Sequence, residues 1–278
     1  MCLIAFAYDV NKKYRLILSA NRDEFFNRPT SPLHIWADEP EIIAGRDLQQ
    51  GGTWMGFSKK GRFAALTNVR NPFSIKPNAR SRGDLISSFL LSDADPFSYL
   101  DTVRNNVRDY NGFNLLVGDL KDMFFISTTD QNIIKIQQGI HAISNHTLNT
   151  PWVKVEIVRE GLKKLLESQT DNLNESQTDN LNESQTDNLN ISAIESRLYQ
   201  MMKNNDIAPD DALPDTGVGI DLERELSSVF VSMQGYGTRS TSVVFWDIEG
   251  NLTFSETSWS ENGNKQGYKK FVVNNPCQ

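Results

Sequence analysis

A cysteine follows the initiator methionine, and it is one of only two in the chain. If Met1 is removed, Cys2 carries a thiol and a free α-amino group on one residue. A thiol with a pKa of ~8.5 is only slightly ionised at neutral pH, whereas an α-amino group titrates near ~7.7–8.0. The neutral amine can take the thiol proton and later hand it to a leaving amine. That is general acid–base catalysis without histidine. Taken alone, a cysteine at position 2 is more readily chance than chemistry, so its partners decide the matter.

Other chemistries have less behind them. His34, His141 and His146 sit outside obvious motifs, and a Cys–His pair would require His141 or His146 beside Cys2. There is no Gly-x-Ser-x-Gly elbow, no phosphate-binding glycine loop and no Cys/His cluster with zinc spacing, so neither a metal nor a cofactor is expected. Asp23 and Glu24 are neighbours on an expected strand and point to opposite faces, which makes them a poor glycosidase pair.

The elements that must position these groups follow from the patterning. Residues 2–8 and 14–20 are apolar, β-prone runs around a polar turn and read as a hairpin. Its second strand runs into Asn21-Arg22-Asp23-Glu24, where charges stand among apolar neighbours. Residues 27–53 read as loop, rich in Pro and Gly. Strands are expected at 54–57 and 63–69, helices from 81 and over 96–105, and a strand meander over 113–117, 123–128 and 133–137, with a short strand at 141–144. A helix should start at Thr150-Pro151 and another over 191–201. Residues 203–226 read as mixed loop, and strands close the chain at 228–233, 240–247 and 252–259. No regular βαβ alternation is present, so two mainly antiparallel sheets covered by helices fit best.

The sequence ESQTDNLN occurs three times, at 167–174, 175–182 and 183–190. A period of eight suits neither a helix face nor a heptad, and each unit offers one Leu. It reads as a disordered or weakly helical low-complexity insertion in a single domain spanning 1–278. The net charge is −7, but six acids lie in this insertion, and the remainder is close to neutral. Nothing points to nucleic acid. No apolar run nears the ~20 residues of a membrane span, and the first residues lack the pattern of a signal peptide. Two cysteines at opposite ends, Cys2 and Cys277, fit reduced thiols in a cytoplasmic protein.

Cys2, then Asn21-Arg22-Asp23-Glu24, Gly45-Arg46-Asp47, Gly51-Gly52-Thr53-Trp54 and Thr67-Asn68-Val69-Arg70 stand in a distinctive order. Ser81-Arg82-Gly83, Phe113-Asn114-Leu115, Ile143-Ser144-Asn145 and Gly237-Thr238-Arg239-Ser240 continue it. This pattern resembles the NRDE family, also called the transport and Golgi organisation family. That family is similar to the cysteine branch of the N-terminal nucleophile hydrolases, with penicillin V acylase and bile salt hydrolase. The resemblance implies an α+β fold, a four-layer αββα sandwich of two mainly antiparallel sheets. It implies Cys2 as nucleophile toward an amide with its own amine as base, Arg22 as a cation favouring thiolate, Asn68 as donor to the oxyanion, Asn145 at a second polar position of the family, and Arg239 completing the cluster.

One departure concerns the carboxylate that holds the amine. The hydrolase branch usually carries it three residues after the arginine, where this chain has Phe25. Asp23 or Glu24 must substitute, or the amine is held differently; Asp23 is preferred, because strand alternation leaves Asn21 and Asp23 together and Arg22 on the other face. Asn21, Trp54, Arg70 and His146 are the candidate substrate contacts. Trp54 equally suits core packing, and Arg70 equally suits a solvated strand end. The expected partner is a small-molecule amide or a lipid-like substrate. The alternative is a non-enzymatic binding or trafficking protein handling lipid or haem. Haem lacks motif support, since there is no Cys-x-x-Cys-His and the C-terminus reads Pro276-Cys277. Deleting two of the three octapeptide units should leave the melting temperature, followed by circular dichroism, almost unchanged. A large loss would make the repeat a structural element.

Overall fold

The computed structural model describes residues 2–175 and 183–274, with side chains except along 169–175 and 183–190. The first hairpin forms as its patterning dictates. β1 (Cys2–Tyr8) is buried along its whole length, and β2 (Tyr14–Phe25) pairs with it antiparallel. Alternation gives β1 two buried faces: Ile4, Phe6 and Tyr8 enter one core and Leu3, Ala5 and Ala7 another.

The chain continues through β3 (Thr30–Ile35), β4 (Ile42–Asp47), β5 (Met55–Ser58) and β6 (Arg62–Asn68). Two helices follow, α1 (Gly83–Leu91) and α2 (Pro96–Asn105). Asp95 caps α2, accepting from the Ser98 amide at 3.0 Å, with Pro96 in the first turn. Next come β7 (Phe113–Asp119), β8 (Met123–Ser127), β9 (Ile133–Lys135) and β10 (Gly139–Ile143), then α3 (Val153–Glu175), α4 (Glu183–Met202) and α5 (Ile220–Glu225). The chain ends in β11 (Ser232–Met233), β12 (Tyr236–Asp247), β13 (Leu252–Trp259) and β14 (Lys265–Val273).

Two antiparallel sheets result. One runs β10-β1-β2-β12-β13-β14 with β11 on β12, and the other runs β3 through β9 in chain order. Phe6, Leu18, Phe57, Phe63, Phe125 and Trp246 fill the space between them. Leu85, Ile86, Phe89, Leu100 and Val103 of α1 and α2 cover the outside of the second sheet. Val155, Val158, Leu162, Ile194 and Leu198 of α3 and α4 cover the outside of the first. The layers are α, β, β, α.

Several elements differ from the sequence reading. β3 and β4 occupy the stretch read as loop. β3 is the edge of its sheet, where Pro32 has no ladder bond to break. β14 was not anticipated, because its Lys265, Lys269 and Lys270 hide the pattern, and charged edges of this kind resist strand addition. The expected strand at 228–233 shrinks to Ser232–Met233, since the Phe230 amide bonds the Asn204 carbonyl and the Val231 amide bonds the Thr238 hydroxyl. α5 lies in the stretch read as mixed loop. The described parts of the octapeptide repeat continue α3 and begin α4, while residues 176–182 and Cys277 lie outside the described residues.

Two glycine-bearing motifs meet backbone to backbone. A Cβ on Gly52 would sit 2.6 Å from the Gly83 carbonyl carbon, and one on Gly83 would sit 3.0 Å from the Thr53 nitrogen. This contact sets the start of α1 against the loop before β5. Gly52→Ala should cost about 1–3 kcal/mol by overpacking, read from chemical denaturation. An unchanged midpoint would mean that the contact gives way freely.

Candidate active site

The β1–β2 register sets Cys2 directly opposite Arg22. Both belong to the alternation set that faces the gap between the sheets, with Ile4 and Ala20 as their next neighbours on that face. Arg22 is buried. Its guanidinium lies 4.4 Å from the Trp54 ring centre, donates to the Thr30 hydroxyl at 3.4 Å and stands 3.8 Å from the Glu24 carboxylate. Five N–H donors with one long hydrogen bond leave capacity for another oxygen. Burial pushes the Cys2 thiol pKa up, the N-terminal ammonium and then Arg22 pull it down, and Asp23 and Glu24 push it further up. The resting group is therefore a neutral thiol that needs a base.

A cleft of about 240 Å³ opens here, lined by Arg22, Glu24, Trp54, Asn68 and Arg82 among others. Asn68, Arg82 and Asn111 also line an adjoining 270 Å³ space, which shares Val69, Arg70 and Gly112 with an 890 Å³ cleft beyond it. Arg82 donates to the Gly112 carbonyl at 3.0 Å. Its pKa is lowered by burial and raised by the neighbouring Cys2.

The four residues at the end of β2 divide by alternation. Asn21 turns to the helix side, where its amide donates to the Met202 and Val229 carbonyls at 2.8 and 2.9 Å and accepts from Thr241 at 2.6 Å. That engagement anchors the strand to the α4 layer. Arg22 and Glu24 face the cleft. Asp23 is buried, accepts from the Thr238 hydroxyl at 2.7 Å, and has its pKa raised by burial against the pull of Lys154.

Asn145 is fully buried. Its amide nitrogen donates to the Asn68 carbonyl at 2.9 Å, and its side-chain oxygen accepts from Ser144 at 3.2 Å and Arg70 at 3.4 Å. The same Ser144 hydroxyl reaches the Cys2 carbonyl at 3.5 Å. Asn145 thus joins the ends of β6 and β10 beside Cys2. Asn68 is among the residues that line the cleft, and its side-chain amide has no hydrogen-bond partner among the described residues.

The other candidates are placed differently. Arg70 is not a solvated strand end: it pairs with Glu223 at 2.5 Å, both side chains buried, and lies 5.2 Å from the Trp152 ring. His146 is exposed on the 890 Å³ cleft and bonds Thr150 at 3.0 Å. Arg239 sits at the irregularity between Thr238 and Ser240 and donates to the Phe25 and Arg28 carbonyls at 2.8 and 3.0 Å. Its contacts hold the end of β2. Trp54 is half-buried and lines the cleft. Its ring fills the place where a Gly45 Cβ would come within 2.2 Å, so Gly45 makes room for it.

Sequence reasoning missed four charged neighbours. Glu24 was discounted in favour of Asp23, although alternation alone puts it with Arg22. Arg82 lay within a quoted motif. Lys154 is fully buried, donates to the Leu226 carbonyl at 2.8 Å, and is pushed down to about 8 by burial and by Arg70. Its lysine code on an amphipathic helix reads as solvent-facing. Glu256 is buried on β13, accepts from the Leu33 amide at 2.8 Å, and burial raises it to about 6. Alternation along β13 puts Glu256 on the face of Leu252 and Phe254, which enter the gap between the sheets, and that was the signal that could have found it.

The model of the Transport and Golgi organisation 2 family matches residues 1–261. A mouse protein described as a Transport and Golgi organization 2 homolog is 34% identical over 274 residues, 93% of each chain. The human homolog is 34% identical over 275 residues, again 93% of each. A Drosophila melanogaster Transport and Golgi organization protein 2 is 25% identical over 283 residues, 92% of this chain and 91% of its own. Among solved structures, a Caenorhabditis elegans ortholog of N-acylethanolamine-hydrolyzing acid amidase aligns with a TM-score of 0.44 and 10% identity, over 87% of this chain and 92% of its own. A mutant conjugated bile acid hydrolase from Clostridium perfringens gives 0.41 and 9%, over 99% and 98%. Likeness this distant says nothing of the reaction. Family match and full-length relatives agree: the chain belongs to the Transport and Golgi organisation 2 family.

Proposed function

We propose that this protein is an N-terminal cysteine amidohydrolase or acyltransferase that cleaves a C–N amide bond in a small or lipid-like molecule. It acts as one domain, in the cytoplasm and after removal of Met1. The observation that carries the reading is Cys2 set opposite buried Arg22, which lines a cleft together with Asn68.

The steps follow from the groups present. The Cys2 α-amine takes the thiol proton as sulfur attacks the carbonyl carbon. Asn68 donates to the developing oxyanion and Asn145 holds the strand end that carries it; a donor of this kind is worth about 2.7–4 kcal/mol of barrier. The C–N bond breaks as the ammonium returns its proton to the leaving amine. Water, or an acceptor amine, then attacks the thioester, gives a proton to the α-amine and releases the thiol. Asp23 orients the amine, and Lys154 behind it favours the Asp23 carboxylate. Arg22 stabilises the thiolate while it exists.

A binding protein on the same fold is the competing reading, favoured by the raised thiol pKa. Turnover separates the two. A screen of N-acyl amides should find hydrolysis that Cys2→Ala abolishes. In Arg22→Met the thiol pKa should rise further, so Cys2 alkylation by iodoacetamide at pH 7 slows by about tenfold per pKa unit. The deficit should vanish once pH exceeds both pKa values. Labelling of Arg22→Met at the wild-type rate throughout would remove Arg22 from the chemistry.

A further inference from the structure

The outer mouth of the connected clefts carries apolar side chains that nothing covers. Phe73 is 85% exposed, Ile75 69% and Ile220 48%. They stand on two separate segments that meet across the cleft. The Phe73 ring lies over the bare backbone of Gly217, where a Cβ would come within 2.3 Å. Ile75 and Val218 line the same 270 Å³ space that leads in to Asn68 and Arg82. The apolar rim is therefore one surface, and it surrounds the entrance to the candidate site.

The two sides of this rim differ in charge, in a chain whose net charge is −7. On the Phe73 side stand Lys76, Arg80 and Arg108. The Lys76 ammonium donates to the Arg108 and Tyr110 carbonyls at 2.7 and 3.3 Å, so no acid neutralises it. Arg108 has no acidic partner among the described residues, and Arg80 lies 3.8 Å from Asp109. The opposite side is acidic: Asp210 and Asp221 share Arg224 at 2.6 Å, Glu223 is buried against Arg70, Asp211 and Glu225 are exposed with no cationic partner among the described residues, and Asp215 accepts only from the Gly217 amide at 3.1 Å, so the positive charge is confined to the Phe73 side.

We propose that this rim docks on the surface of a bilayer containing anionic phospholipid, with Phe73 and Ile75 entering the interface and Lys76 and Arg108 facing the headgroups. Aromatic and aliphatic tips flanked by unneutralised cations match such a surface on both counts: the tips bury in the headgroup–acyl boundary and the cations meet its negative potential. Docking in this pose holds the cleft mouth against the lipid, so that an amphipathic molecule could pass to the cleft without crossing water. The surface does not depend on Cys2 chemistry.

Sedimentation with phosphatidylcholine vesicles, with and without phosphatidylserine, tests the docking without any turnover, so its outcome is separate from that of the amidase reading. The wild type should bind the phosphatidylserine vesicles, and binding should weaken as salt rises. Phe73→Ser with Ile75→Ser should lose tenfold or more, at an unchanged melting temperature. Lys76→Glu with Arg108→Glu should lose the preference for phosphatidylserine. Absence of wild-type binding to either vesicle would overturn the proposal, as would undiminished binding of the serine variant. So would a concentration-dependent dimer that Phe73→Ser abolishes, since the rim would then belong to a second copy.

Discussion

The site depends on one pairing: Cys2 on β1 against Arg22 on β2. Both strands lie inside their sheet, flanked by β10 and β12, and both are packed on two faces. A single-residue slip in register would exchange those faces, turning Leu3 and Asn21 into the gap and Cys2 and Arg22 toward the helices. The apolar residues of β1 forbid it, because Ile4, Phe6 and Tyr8 fill the space between the sheets while Leu3, Ala5 and Ala7 meet α3 and α4. The core thus fixes the thiol's position relative to the guanidinium before any polar contact is made.

Charge is then arranged around that pairing on two sides. Arg22, Glu24 and Arg82 line the cleft, with Glu256 buried nearby, where Arg22 tempers the rise that burial causes in its pKa. Asp23, Lys154, Arg70 and Glu223 lie behind, toward the helices. Burying so many charges costs stability unless they are paired or hydrogen-bonded. Their concentration at one end of the sandwich is the kind of expense that cores avoid and functional sites carry. The partners are graded accordingly: Arg70 and Glu223 neutralise one another, Lys154 rests on a backbone carbonyl, and Arg22 is left with donors to spare.

Much of this was legible from the residues. The hairpin, the helices at 83 and 96, the meander and the αββα layering follow from periodicity and from the family pattern. For the proposed site, the β1–β2 register puts Arg22 opposite Cys2 and Asn145 bonds the Asn68 carbonyl, whereas alternation with Ala64 and Leu66 puts Asn68 on the helix-covered face of β6. What remained hidden was of two kinds. β3, β4 and β14 are edge or near-edge strands whose Pro, Gly and Lys residues mask alternation. Lys154 is a charge turned inward by tertiary packing, whereas Glu256 follows the inward alternation of Leu252 and Phe254 although its residue type argues for solvent. Arg239 shows a third limit: its motif put it with the site, and its side chain instead ties down the carbonyls at the end of β2.

The central claim is that Cys2 is the free first residue of the working protein. Condensation with 2-cyanobenzothiazole, which requires an amine and a thiol on the same terminal cysteine, followed by intact mass, tests it directly. The account predicts a single adduct on Cys2 in protein lacking Met1. A mass retaining Met1, with no adduct formed, would contradict it.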